Sequence, residues 1–231
     1  LVLPGGRAGR KLTELLVAYC EQHSLVLLPP EHCTVGTLPE FLYESHRPFA
    51  NELTQQLAWV RALRAADQDR CLKFIARLPA DDDYANWMDL GALLQRQHRE
   101  LAADALDFSQ VAQRGADVSG FEEEGRWAFL RKVQQDYLRI LDDLQLWDLQ
   151  TARLYAIDYN LCRTDKEIVL VGTTDMNVAM RHMLDQVADR VTTVIHAPEP
   201  LADRFDSHGC LIPDRWQKAQ IDISTDQIQV V

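Results

Sequence analysis

The residues whose types and spacing suit chemistry best lie at the start of the chain. Leu1-Val2-Leu3-Pro4 reads as a short strand, Gly5-Gly6-Arg7-Ala8-Gly9 as a glycine-rich turn, and the residues from Arg10 as a helix with Leu12, Leu15, Leu16 and Tyr19 on one face. Strand, glycine loop and helix bind phosphate because unpaired backbone N–H groups point outward at the helix start. Against the pattern G-x-x-x-x-G-K-S/T, with Gly9 as the second glycine, Pro4 takes the first position, Arg10 that of the lysine and Lys11 that of the hydroxyl residue. Pro4 has no N–H to offer, and Lys11 cannot ligate magnesium as a hydroxyl would. The context for phosphate is kept while the chemistry for ATP is broken, so ATP and Mg2+ are not expected to bind productively. Gly5, Gly6, Gly9, Arg10 and Lys11 form the degenerate phosphate-binding set. Arg7, Arg10 and Lys11 are the candidates to hold a phosphate of DNA, with ordinary solvated charges on a first turn as the alternative. Were nucleotide bound after all, Thr13 would have to replace the missing hydroxyl.

The remaining candidates are thinner. His208-Gly209-Cys210 is a lone pair of potential ligands that loop composition explains better than a metal does. Asp81-Asp82-Asp83 reads as a solvated acidic turn, because cation ligation needs alternating geometry and a fixed loop. Pro213-Asp214 matches the start of a PD-(D/E)xK nuclease site, but no E-x-K follows to supply the second carboxylate and the lysine. Neither a catalytic set nor a metal site is complete.

These residues need elements to position them. Ile168-Val169-Leu170-Val171 is a continuous apolar run ended by Gly172, the pattern of a strand buried on both faces. Thr173 or Thr174 is expected to cap a helix carrying Val178, Met183, Leu184 and Val187, with Asp175 in its first turn; Val191 to Ile195 is a second strand. Together they make a βαβ unit, which implies a parallel sheet. Ser24 to Leu28 reads as a strand or a loop leading to one, and Cys33 to Gly36 as strand-like. Thr37-Leu38-Pro39-Glu40 opens a helix that carries Phe41 and Leu42 into the core.

Strand signals vanish from about Ala50 to Ala156. Leu53, Leu57, Val60 and Leu63 form one helical stripe, and Cys71, Leu72, Phe74, Ile75 and Leu78 another. A long helix runs past Trp127, Tyr137 and Leu144. The stripe Trp127, Tyr137 and Trp147 reads as core, because Asp142, Asp143 and Asp148 beside it do not suit base stacking. Leu201 to Cys210 reads as irregular. Ile221-Asp222-Ile223 and Ile228-Gln229-Val230 alternate like edge strands. The fold class is therefore α/β: a parallel sheet flanked by helices, built from 1–48 and 160–231, with 49–159 as an all-helical insertion subdomain.

Composition narrows the function. The formal charge of −11 over 231 residues argues against a surface coated for nucleic acid, though not against a local basic site. Five scattered cysteines without a CxxC pair fit a reducing compartment, and with no signal peptide or transmembrane run a cytoplasmic location is expected, with no membrane partner. Both chain ends fall inside strand-like runs, which suggests a segment of a longer protein.

Three stretches carry a family resemblance. VLPGGRAGRKL, VGTLPEFLYE and EIVLVGTTDMNVAMRHMLDQVADRVTTVI resemble the AddB-type, inactivated superfamily-one helicase subunits of bacterial helicase–nuclease complexes, proteins of the PD-(D/E)XK nuclease family, in their N-terminal portion. The resemblance implies a P-loop, RecA-like domain interrupted by a helical subdomain. It departs where the family's magnesium-binding acids belong, since Gly172-Thr173-Thr174 stand there. It further implies a non-hydrolysing scaffold and DNA path in double-strand-break repair and recombination. An active helicase–nuclease partner subunit would supply the ATP-driven motion, and nuclease activity would lie near the far C-terminus of the parent protein; the alternatives are a nucleotide-dependent enzyme with an atypical phosphate loop and a plain α/β module whose helical insertion docks a protein partner.

Overall fold

The computed structural model describes residues 1–217, and its strands form one four-stranded parallel sheet in the order β2-β1-β3-β4. In chain order, β1 (Val2–Leu3) passes through Pro4 and Gly5 into α1 (Gly6–Gln22), and β2 (Cys33–Thr34) follows. A 3-10 turn over Leu38–Phe41 leads to α2 (Glu52–Ala65), α3 (Gln68–Cys71), α4 (Tyr84–Ala103), α5 (Phe108–Gly115), α6 (Glu124–Asp143) and α7 (Leu149–Asp158). Then come β3 (Ile168–Val171), α8 (Val178–Asp185), β4 (Val191–Val194) and α9 (Pro213–Trp216). The chain divides into two compact units. One is α/β and comprises Leu1–Leu38, Thr164–Met176 and, as far as described, the chain from Val187; the other is helical and comprises Pro39–Arg163 and Asn177–Gln186. Beside the 49–159 insertion expected from sequence, the helical unit starts ten residues earlier and takes in α8. The strands expected at 221–223 and 228–230 lie outside the described residues.

In the α/β unit β1 is central. It pairs with β2 through Val2↔Cys33 and Leu3↔Thr34, and with β3 through Val2↔Leu170. β3 and β4 pair from Ile168↔Val191 to Val171↔Val194. The expectation that β3 is buried on both faces is corrected: Ile168 and Leu170 are buried, while Val169 and Val171 are only half-buried. β4 is the edge of the described sheet and alternates half-buried and exposed. The apolar face expected on α1 is corrected too, since Leu15 and Tyr19 are exposed and Gly9 is its one fully buried residue. α1 packs on β1 and β2, and two strands of two residues offer a short platform for a 17-residue helix.

Other outcomes have local causes. Ser24 to Leu28 takes the second of its two readings, a loop leading to a strand, with Leu25, Val26 and Leu28 exposed; Pro29 and Pro30 beyond them have no N–H to join a ladder. Leu42 is buried but its neighbour Phe41 is exposed. Helix α8 begins later than expected, because Asn177, not Thr173 or Thr174, caps it by accepting a hydrogen bond from Met180 N at 2.8 Å. Asp175 therefore lies outside the helix. Leu201 to Cys210 is irregular only in part: a 3-10 helix spans Glu199–Arg204, Phe205 bridges to Leu211, and the turn between them holds buried His208 and Cys210.

In the helical unit the expected stripe on α2 is shifted. Leu53 and Leu57 are exposed, and the buried face is Ala58, Trp59, Ala62 and Leu63 with Val60. Trp59 sets that face, because its ring stacks on Tyr137 of α6 at 4.0 Å and 8°. The second stripe is broken, since α3 ends at Cys71 and Leu72 and Phe74 are exposed. α4 packs closely on α2 at Gly91, where a Cβ would lie 2.7 Å from Val60 Cγ2 and 2.9 Å from the carbonyl oxygen of Gln56.

One polar cluster joins these helices inside the core. Asp148 caps α7 by accepting from Thr151 N at 2.7 Å, and it also accepts from Tyr137 Oη at 2.8 Å and lies 2.8 Å from His98 Nε2. Gln134 Nε2 sits 3.0 Å from His98 Nδ1. Every member is buried. Burial pushes the Asp148 carboxyl upward, but the hydrogen bond and electrostatic pull of His98, the Thr151 N–H and the Tyr137 hydroxyl outweigh it and hold the group down at about 2. Burial, and then the charge of Asp148, push the Tyr137 phenol the other way.

Candidate functional site

Parallel α/β sheets bind ligands at the carboxyl ends of strands where the order of connections reverses. In this sheet the chain moves from β1 to β2 on one side and returns to β3 on the other, so the reversal lies between β1 and β3. The sequence candidates stand at that edge: Gly5, Gly6, Arg7, Gly9, Arg10 and Lys11 after β1, and Gly172, Thr173 and Thr174 after β3.

Their geometry differs from a phosphate loop. Helix α1 begins at Gly6, so only Pro4 and Gly5 connect it to β1. The expected glycine-rich turn is thus corrected: Gly6 to Gly9 are the first turn of the helix. Gly5 is extended, with φ −170°, and its carbonyl accepts from Ala8 N at 3.1 Å and Gly9 N at 3.3 Å. Two of the amide groups that a cradle would turn toward phosphate are therefore bonded within the turn. Gly9 is buried, and a Cβ there would lie 3.1 Å from the His32 ring and 3.4 Å from Leu3 Cδ1. Its lack of a side chain lets the helix approach the strand; it does not open a path to a ligand. Thr13, one turn on, donates its hydroxyl to Gly9 O at 3.0 Å.

Arg7, Arg10 and Lys11 are all exposed and share one face of α1 by their i, i+3, i+4 spacing. Lys11 pairs with Glu14 at 3.2 Å, and among the described residues Arg7 and Arg10 form no ion pair. The Arg10 guanidinium folds back over the first turn, with Nη1 3.7 Å from where a Cβ of Gly6 would stand. A groove of about 660 Å³ beside α1 has Arg10, Thr13, Val17 and His32 in its wall, but also Glu14 and Glu21, whose carboxylates repel phosphate.

At the end of β3, Thr173 is 1% exposed and its hydroxyl has no hydrogen-bond partner among the described residues. Its carbonyl receives the Cys210 thiol at 3.8 Å, and Leu211 N donates to Thr174 O at 3.1 Å. The His208–Cys210 turn is thus packed against the strand end, with Asp206 accepting from His208 N and Cys210 N. Among the described residues no group of three or more His, Cys, Asp or Glu is placed to hold a metal ion. Asp83 caps α4 through Asn86 N, and Asp81 pairs with Arg64 at 3.3 Å, so the acidic run serves a turn and a helix start. Pro213 and Asp214 open the four-residue α9.

Of the aromatic stripe read from sequence, Tyr137 is core and Trp127 packs on Phe108 at 6.0 Å. Trp147 is half-buried and belongs to a surface row with His46, Tyr155 and Tyr159, which sequence reading missed. Tyr155 and Tyr159 carried a signal in their i, i+4 spacing; His46 and Trp147 carried none. No family model, curated protein or solved structure matches the chain. Among the described residues no helix is long and apolar enough to cross a membrane.

Proposed function

We propose that this chain is a helicase-like module that retains a parallel α/β frame without a nucleotide grip. In this reading it serves a double-strand-break repair helicase–nuclease as scaffold and DNA path. The observation that carries the reading is the two-residue connection of Pro4 and Gly5 between β1 and α1. A triphosphate needs a loop of free N–H groups around it, and a helix that starts at Gly6 leaves no length for one. Thr13, the candidate replacement hydroxyl, is turned onto its own helix, which favours the non-hydrolysing reading over an atypical ATPase. A RecA-like identity for the sheet, DNA as ligand and an active helicase–nuclease subunit as partner all rest on the sequence resemblance. Backbone phosphates would meet Arg7, Arg10 and Lys11 from solvent, with the first turn of α1 adding its dipole.

The test is binding of double-stranded and single-stranded oligonucleotides across a salt series, with Arg7→Glu, Arg10→Glu and Lys11→Glu combined in one variant. Loss of about three phosphate contacts predicts a salt slope shallower by about 2 to 3. Wild-type protein that binds neither oligonucleotide, or a variant with unchanged affinity and slope, contradicts the DNA assignment.

A further inference from the structure

Four rings form a row on the surface of the helical unit. His46 faces Trp147 at 6.0 Å between centroids, Trp147 meets Tyr155 edge-on at 5.8 Å, and Tyr155 meets Tyr159 at 4.3 Å. Tyr159 is 63% exposed and Tyr155 40%. His46 is exposed as well. Contiguous exposed rings carry an apolar face that water solvates poorly, and such faces mark interaction sites. Two cavities, of about 540 Å³ and about 470 Å³, flank the row. Both have Leu138, Thr151 and Tyr155 in their walls, so the two recesses adjoin at these residues.

Charge decides what fits there. Stacking of nucleic acid bases needs uncommitted cations beside the rings. The arginines at the first recess are committed: Arg47 pairs with Asp142, and Arg139 pairs with Asp136 at 2.7 Å. The second recess carries Asp104 and Asp158 with Arg114 and His182, while Asp107 in the same wall is engaged as the cap of α5. Asp158 is exposed, stands three residues on from Tyr155 in the wall of the second recess and forms no ion pair among the described residues. The uncommitted charge beside the row is therefore mainly negative, on a chain whose formal charge is −11.

We infer that this aromatic groove docks a proline-rich peptide segment carrying arginine or lysine, bound as a polyproline II helix. That helix is rigid before binding, has three residues per turn and exposes apolar ring edges, so aromatic-lined grooves hold it at low entropic cost. The three ring-to-ring steps are spanned by about five residues of such a helix at about 3.1 Å each. Prolines on one face enter the two adjoining recesses. One flanking guanidinium reaches Asp158, and the other lies over the exposed Tyr159 ring, whose quadrupole attracts it. The inference holds whether or not α1 contacts DNA.

The test uses fluorescein-labelled Arg-(Pro)6-Arg as probe, read by anisotropy on the whole chain. A Glu-(Pro)6-Glu peptide and an oligothymidylate of 15 nucleotides are the comparators. Saturable binding of the arginine peptide is expected, weakened at least about tenfold in Tyr155→Ala and in Tyr159→Ala, the usual size of effect for an interface tyrosine. Asp158→Asn is expected to weaken it several-fold and to leave the glutamate peptide equally poor. Tyr159 is exposed, so its variant should keep the wild-type unfolding temperature, which separates lost contact from lost fold. Three results overturn the inference: no saturable binding up to about 1 mM, affinity unchanged by Tyr159→Ala, or oligothymidylate occupying the groove in place of the peptide.

Discussion

Asp148 illustrates how much one buried carboxylate carries. It caps α7, accepts the Tyr137 hydroxyl from α6 and is bound to His98 of α4. Removing it strands three buried donors at once, so Asp148→Ala is expected to cost about 3 to 5 kcal/mol in denaturant unfolding. Asp148 is also an acid sensor whose sign is fixed by its environment. Its folded value, about 2, lies below the ordinary carboxylate value, so the folded state binds the proton less readily than the unfolded chain. The stabilisation is fully present above about pH 4 and is lost as pH falls toward about 2, an effect of about 2 kcal/mol. Unfolding free energies measured between those limits should fall in wild-type protein, and less steeply in the variant. A slope unaffected by the substitution contradicts the assignment. None of this could be read from sequence, because His98 lies 50 residues from Asp148 and nothing in the spacing of either announces the pair.

At the scale of elements, close approach explains Gly9 and Gly91. Gly91 sits where α4 meets α2, and an added methyl would press on backbone. Gly91→Ala gains about 1 kcal/mol of helix propensity but meets an overpacking cost of about 1 to 3 kcal/mol, so net destabilisation is expected. Gly125 in α6 has only Phe74 at 3.9 Å, so Gly125→Ala should be stabilising by about 0.5 to 1 kcal/mol. The pair is checked by thermal unfolding of both variants, and equal shifts would contradict the packing account. Elements were legible where composition was unambiguous. The β-branched run ended by Gly172 did become β3, and the acidic run before Tyr84 did become a helix entry. Boundaries failed where two residues competed for one role. Thr173 and Thr174 precede Asn177, and burial of Thr173 beneath the Cys210 turn left Asn177 as the cap. The buried face of α2 was misread in part: Val60 and Leu63 are buried, but Trp59 and two alanines are buried with them in place of Leu53 and Leu57.

At the scale of the molecule, the chain holds a parallel α/β unit and a helical unit, the helical one starting at Pro39, ahead of the change of sequence character near residue 50. At the strand ends the positions of the candidate residues were legible, but the backbone that carries them was not. Glycines followed by basic residues read as a loop, whereas the helix begins at Gly6 and Gly9 is spent on contact with Leu3 and His32. That difference is the ground for treating the unit as a frame that does not hold triphosphate. It is tested most directly by calorimetric titration of the protein with ATP in magnesium-containing buffer. No saturable heat up to about 1 mM ATP is the predicted result. Micromolar binding that is lost on Arg10→Ala would contradict it.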